Sequence, residues 1–473
     1  MAYCLKRINL NIVMSTIWLP EITEYQELCK LSSKYQALAN LIERVAQSGV
    51  ISAEQKLPAQ RILADHLGVT HGTVTRAYDL LVKRGIATAK LGAGTFIKAQ
   101  SVHLDELEDT DFSSSMMPLM GQQNVLAEQM RKLANNASAL TDILRYKLNG
   151  SDELQGTFKA WLNDKGLQIG KQELIFCQGA QQAIYSVLAA LCQAGDTVLH
   201  EEMCYPGFYQ ACDSLGLNTK PIALTPKGID LNALEVYCKS NSVKAIYITP
   251  NCQNPTNIRY DQATLDGLLA LSQRYNFFIL EDDVNYCLPE NWRLPLWQTA
   301  NDRVFYIGSF SKYFAGGLRA GYLIAPFLWQ QAVLKQIHSQ CWSVSMMNFE
   351  LLALALNDDE FKRNQLQLAE EVSARINLLR ALFEKHGLEA VFSGLNVYLP
   401  LPEHINMFSL ANQLKANRVI VRTVDVFTRN GNANCNALRF TLGGPSSRQA
   451  FELGLARVDQ VLRHRDGGIE VVI

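Results

Sequence analysis

The chain has 473 residues, of which 48% are hydrophobic and 19% charged, with 29 glycines and 14 prolines. This balance excludes a disordered chain and, at about 100–200 residues per domain, implies two to four domains. The 44 basic and 45 acidic side chains leave a formal charge of −1, which excludes a uniformly basic nucleic-acid coat. Counted by segment, residues 1–100 hold 12 Lys/Arg against 7 Asp/Glu, a net of +5, so the remainder carries −6. That asymmetry suits a head that meets a polyanion, although five charges in a hundred residues also arise by chance.

Residues 1–30 read as a non-secretory N-terminal extension, because Asn9, Asn11, Ser15 and Thr16 interrupt its apolar stretch. Eleven cysteines lie scattered from Cys4 to Cys435, with no C-x-x-C pair and no cluster at metal-ligand spacing. Free thiols in a reducing cytosol are expected, and no metal. No run reaches the ~18 apolar residues of a membrane span. A cytoplasmic protein with no membrane partner is the expectation.

Residues 31–100 predict a small domain. Tyr35, Leu38, Ile42 and Val45 recur at helical spacing up to Gly49. Leu57-Pro58 opens a second helix with its apolar face at Ile62, Leu63 and Leu67, closed by Gly68. Thr70 caps a third, through Val74, Tyr78 and Leu81 to Gly85. Two short strands follow around the turn Leu91-Gly92-Ala93-Gly94. Three helices and a hairpin in this order make a winged helix-turn-helix; a protein-docking module is the alternative. The third helix then presents Thr70, His71, Thr73, Thr75 and Arg76 to base edges in the major groove of double-stranded DNA. Arg61 and Lys90 are placed for phosphates, and Gly92 and Gly94 for close approach of the wing. Residues 101–115 hold five acids and four serines and read as a solvated linker, or as a tether that competes with DNA.

Residues 116–473 alternate apolar strands with helices. Strands are expected at 174–177, 197–200, 245–248, 277–280 and 304–308, with helices at 181–191 and 260–275 between them. The implied class is α/β, a mostly parallel sheet with large and small subdomains, the small one from about 365 to 473. Ligands gather at the carboxyl ends of such strands. There stand Gly179-Ala180-Gln181 at a helix N-terminus, Asn254 beside a proline, and Glu281-Asp282-Asp283. Ser309-Phe310-Ser311-Lys312 follows, with Arg319 beyond. A lysine beside two serines and an arginine suits an aldehyde that carries a phosphate.

The stretch Tyr35–Ile97 resembles the DNA-binding domain of the GntR superfamily, through Leu57-Pro58-Ala59-Gln60-Arg61, Thr73-Val74-Thr75-Arg76-Ala77-Tyr78 and Gly92-Ala93-Gly94-Thr95-Phe96. The family usually has arginine at His71. The body resembles fold-type-I enzymes that use pyridoxal 5′-phosphate (PLP), over about 110–465. That resemblance implies Lys312 as the catalytic Schiff-base lysine, Asp282 on the pyridine nitrogen, Asn254 on the ring oxygen and Tyr205 stacked on the ring. It implies phosphate contacts from Gly179, Ala180, Gln181, Ser309, Ser311 and Arg319, and from Tyr146 into a neighbouring subunit. Arg439 matches the arginine that grips a substrate carboxylate. The pattern is broken in three respects: Val284 and Asn285 stand where a tyrosine is usual, Asn257 replaces a glycine, and Gln155 an arginine. The fusion as a whole is similar to the MocR subfamily. This implies a PLP-dependent regulator, a homodimer with swapped heads, that senses PLP or a small amine or amino-acid effector and changes operator binding. The missing phenol implies at most vestigial transaminase activity. A working aminotransferase that carries a DNA-binding head is the alternative, and a body that only dimerises a third.

Overall fold

The computed structural model describes residues 18–30, 32–47, 51, 55–90, 93–97, 108–170, 174–429 and 435–466. The chain divides into two compact units, 1–108 and 109–473.

In the first unit four helices, α1 (Ile22–Cys29), α2 (Lys34–Gln47), α3 (Gln60–Leu67) and α4 (His71–Lys83), precede the strands β1 (Ala87–Lys90) and β2 (Gly94–Ile97). Leu38, Leu41, Ile42, Leu63, Val74, Ala77 and Leu81 are fully buried among them. α1 lies inside what the sequence suggests is an extension, and it adds Tyr25 to this core. Its polar run Thr23–Glu27 masked the single apolar anchor. α3 begins at Gln60 rather than at Pro58, because Leu57 N–H donates to Thr95 O at 2.8 Å and Pro58 O accepts from Tyr78 Oη at 2.8 Å. Those bonds hold the entry segment extended against the wing. α4 follows α3 through left-handed Gly68 (φ 64°) and the cap Thr70, which accepts from Thr73 N–H at 3.3 Å.

The second unit is built on a seven-stranded sheet in the order Ile175–Cys177, Gly321–Ile324, Val304–Ser309, Phe278–Asp282, Ala245–Ile248, Thr197–Glu201, Asn218–Ile222. Only Gly321–Ile324 runs antiparallel to its neighbours. The predicted strands all form, within two residues at either end. Asn218–Ile222 went unread because its sequence is polar and holds Pro221, both tolerated on an edge strand. A second core surrounds a four-stranded antiparallel sheet in the order Val391–Phe392, Asn396–Pro400, Ala437–Thr441, Arg422–Thr423.

The acidic segment differs from a free linker over its last residues. Thr110–Asp111 forms a parallel ladder with Val419–Ile420, Phe112 is fully buried, and Thr441 N–H donates to Phe112 O at 2.8 Å. Backbone pairing, which composition does not report, holds this strap in place. Residues 101–107 lie outside the described residues. All ten described cysteines are free, no metal-ligand group occurs among the described residues, and no described helix is long and apolar enough to cross a membrane.

Candidate functional site

The carboxyl ends of the parallel strands and one edge of the small sheet enclose a cavity of about 500 Å³. It is lined by Ala180, Gln181, Tyr205, Asn254, Asp282, Ser309, Ser311, Lys312, Arg319 and Arg439. The sequence named all ten. Gly179 stands one residue behind, in a left-handed turn (φ 75°) at the N-terminus of the helix Ala180–Leu191. A Cβ there would lie 2.5 Å from Arg319 Nη2, so glycine is required for the arginine to cross the turn. Ser309 Oγ lies 3.0 Å from Ser311 Oγ and accepts from Ser311 N–H at 3.1 Å. Two hydroxyls, a guanidinium and a helix N-terminus thus face one corner, an anion cradle.

The three consecutive acids are solved separately. Glu281 accepts from Leu296 N–H (3.0 Å) and Trp297 N–H (3.3 Å). Asp283 accepts from Asn251 Nδ2 and Tyr306 Oη, each at 2.8 Å. Asp282 alone reaches the cavity, where Tyr247 Oη donates to it at 2.6 Å and Val284 N–H at 3.1 Å. Burial pushes the Asp282 carboxyl up to about 7, against the pull of these hydrogen bonds. Among the described residues no salt bridge reaches it.

Lys312 donates to Ser115 O. Burial, then the charges of Arg439 and Arg319, bring its amine down to about 8, so a substantial neutral fraction exists near physiological pH. Arg439 is 6% exposed and donates to Ser113 O at 2.7 Å and Asn254 Oδ1 at 3.1 Å. Its Nε is buried without a hydrogen-bond partner, and its guanidinium lies 4.8 Å from the centre of the Phe427 ring. Burial and the neighbouring Arg422 bring it down to about 10.

Tyr146 is not brought to this cavity; it is 85% exposed and meets the edge of Trp342. Sequence reasoning missed Tyr247, hidden in an apolar strand, and Arg422. It also missed Ser113–Ser115, read as linker. The departures have structural accounts. Asn285 lines the cavity and donates to Cys252 O at 2.9 Å, while Tyr286 turns into the second core against Tyr313. Asn257 keeps the left-handed backbone (φ 60°) and ties Val391 O and Asn396 O, each at 2.8 Å. Gln155 spends its amide on Asn149 O and on both backbone groups of Leu174.

On the head, His71, Gly72 and Arg76 are exposed at the start of α4, with Thr73 and Thr75 half-buried beside them. Thr75 Oγ1 donates to Gln60 Oε1 at 2.8 Å. Arg61 is exposed on α3, and Lys90 on the wing lies 5.0 Å from the Phe96 ring centre. Gly94 is left-handed (φ 114°), and Gly92 falls outside the described residues.

Residues 108–450 match the family of class I and II aminotransferases, and residues 34–97 the gntR family of bacterial regulatory proteins. The chain is 25% identical over 435 residues to the HTH-type transcriptional regulator YdeF of Bacillus subtilis, covering 90% of this chain and 94% of the relative. It is 26% identical over 400 residues to the vitamin B6 salvage pathway transcriptional repressor PtsJ of Salmonella typhimurium, covering 84% and 91%. Among solved structures its fold is shared by the multiple substrate aminotransferase of Thermococcus profundus (TM-score 0.68, 19% identity, 78% of this chain and 96% of the other). An archaeal alanine:glyoxylate aminotransferase is similar as well (TM-score 0.69, 21% identity, 83% and 95%). The chain thus belongs to the class I and II aminotransferase family through its body and, with a GntR-type helix-turn-helix domain on the same chain, is a transcription regulator of the MocR type.

Proposed function

We propose that this regulator binds PLP in the cavity, senses an amino compound there, and passes the event to its DNA-binding head through the strap 109–115. The donor set fits the cofactor. Asp282 is a buried carboxylate without a cationic partner among the described residues, which a protonated ring nitrogen would supply. The cradle of Gly179, Ala180, Gln181, Ser309, Ser311 and Arg319 would hold the phosphate, Asn254 the ring oxygen, and Tyr205 the ring face. When bound, PLP supplies an aldehyde that condenses with primary amines and a ring that accepts electron density. Lys312, with an amine lowered to about 8, is the nucleophile suited to that aldehyde.

One observation carries the sensing reading. Both cations that would serve the ligands, Lys312 and Arg439, donate to strap carbonyls, Ser115 O and Ser113 O. Lys312 gives up its carbonyl when its amine is committed to the cofactor. Arg439 gives up its own when it grips a carboxylate. The strap, continuous with the chain that leads to the head, is then held by fewer bonds. Ligands thereby favour the strap-released form by the difference in affinity for the two arrangements.

Operation as a homodimer with swapped heads is part of this reading. Leu144, Tyr146, Leu148 and Trp342 are 55–87% exposed, an apolar surface suited to a second copy of the chain. Tyr146, absent from its own cavity, would act on that copy's phosphate. The test is spectroscopic and functional. Purified wild-type protein with PLP should show the cofactor's bound absorbance band, and Lys312→Ala should lose it. Amino compounds should change the DNA footprint of the wild type. A retained band in the variant refutes the cofactor assignment, and an unchanged footprint refutes sensing.

A further inference from the structure

The cavity holds more positive charge than the cofactor and one carboxylate require. It is lined by Lys312, Arg319, Arg422 and Arg439 against the single carboxylate of Asp282. Under the reading above, Lys312 meets the aldehyde, Arg319 the phosphate and Arg439 a carboxylate. Arg422 has no assigned anion. It is exposed, and no hydrogen bond or salt bridge holds its guanidinium among the described residues.

Its position is unfavourable for the folded protein. Arg422 and Arg439 are directly opposite each other on neighbouring antiparallel strands, and both line the cavity. Like charges in such a cross-strand pair repel, and the proton affinity of Arg439 is lowered first by burial and then by Arg422. Asp111, the acid that offsets it, is committed to the strap, accepting from Ser113 N–H at 2.6 Å and Ser114 Oγ at 2.5 Å. A sheet edge that keeps two opposed arginines over a cavity is arranged for anions. One arginine is deep and nearly buried, the other stands at the mouth, so the two are served by separate anionic groups.

From this we infer that the effector is an amino acid with a second anionic group, a carboxylate or sulfonate on its side chain, and that Arg422 selects it. The inference rests on the proposed sensing role of the cavity and deepens it. Arg439 takes the α-carboxylate within, next to Asn254 and Phe427, and Arg422 takes the distal anion at the rim. Val426, exposed in the turn that follows Arg422, also lines the cavity and flanks the side-chain carbons between the two anionic ends. A monoanionic amino acid leaves the arginine pair half-neutralised and gains less.

The experiment titrates the PLP-loaded full-length protein with L-aspartate, L-glutamate and L-cysteate, against L-alanine and L-glutamine. The readout is the shift of the bound cofactor's absorbance. Dianionic probes are expected to half-saturate at concentrations at least tenfold lower than monoanionic ones. In Arg422→Gln that ratio should collapse to about one, and Arg422→Lys should restore part of it. The melting midpoint of ligand-free Arg422→Gln should rise, because the opposed charge is gone; a purely structural arginine would lower it. Equal half-saturation by both classes in the wild type, or an unchanged ratio in Arg422→Gln, overturns the inference. If no amino acid shifts the band of PLP-loaded protein, the sensing role itself fails, and that result is distinct from equal response to both classes.

Discussion

Replacing Gly443 by alanine tests whether the strap couples the cavity to the chain before it. A Cβ on Gly443 would lie 1.4 Å from Met116 O, and one on Gly444 1.8 Å from Asp111 O. Cβ contacts below 3.0 Å are essentially never found, so in Gly443→Ala one of the two backbones must withdraw by about 1.6 Å. The glycine side is fixed: fully buried Arg375 donates to Leu442 O at 2.6 Å and Pro445 O at 2.9 Å, on either flank of the pair. The strap therefore yields. It carries Ser113 O and Ser114 O, held at 2.7 Å by Arg439 and 2.9 Å by Thr441 Oγ1, out of hydrogen-bonding reach. Overpacking in a tight site costs about 1–3 kcal/mol, and a bond to a charged donor contributes about 1.5–3 kcal/mol. Once Ser113 O no longer competes for Arg439, amino-acid probes should half-saturate at concentrations about tenfold lower. Hydrogen exchange over residues 109–117 should accelerate, and DNA binding should lose most of its dependence on amino acid. A folded Gly443→Ala protein with wild-type exchange over the strap and wild-type effector dependence would refute the coupling.

Asp282→Asn should separate stability from ligand binding. The folded-state carboxyl sits near 7 against 3.8 when free, so the unfolded chain ionises first. The contribution of Asp282 to the stability of the ligand-free wild type should therefore fall as pH rises from about 4 and level off above about 7, by at most about 4 kcal/mol. The variant should be the more stable at pH 8 in urea titrations, lose that advantage below pH 4, and bind PLP weakly. Arg375→Ala should cost about 1–3 kcal/mol for each carbonyl it strands, Leu442 O and Pro445 O, in the same titrations, while Glu371 keeps its pairing with Arg448. On the head, Arg61→Ala should weaken binding to all DNA sequences and reduce the salt slope by about 1, read by fluorescence anisotropy. Arg76→Ala should cost about 1–3 kcal/mol on the operator and relax its base preference.

Legibility in the sequence followed the physics of each element. The central strands were readable because both of their faces are buried, so they are nearly all apolar, as at Ala245–Ile248. Tyr205 and Arg439 came only through the resemblance to fold-type-I enzymes, whereas most cavity residues were readable because strand ends place them in chain order. α1 was not, since Tyr25 is its only fully packed side chain. The strap was not either: its acids and serines have the composition of a linker, and its fixation comes from backbone pairing with Val419–Ile420 and with Thr441. Arg422 escaped notice because its meaning depends on register, on lying opposite an arginine 17 residues later in the chain. Tyr247 escaped because a tyrosine in an apolar strand reads as packing until the acid beside it is seen.

The run Glu281-Asp282-Asp283 offers a genetic handle on the protein. Successive strand residues face opposite sides of a sheet, so the middle acid serves the cavity while its neighbours anchor Leu296, Trp297, Asn251 and Tyr306 behind it. One chemical change, carboxylate to amide, therefore has opposite phenotypes at adjacent codons. At 281 both oxygens accept backbone N–H groups, Leu296 and Trp297, which cannot turn away from an amide nitrogen, giving protein that accumulates poorly but responds normally when folded. At 282 the amide oxygen can keep the Val284 N–H while the Tyr247 hydroxyl turns to accept from the amide nitrogen, giving abundant protein that does not respond. A screen that scores abundance and response together would sort the two classes within a single tripeptide.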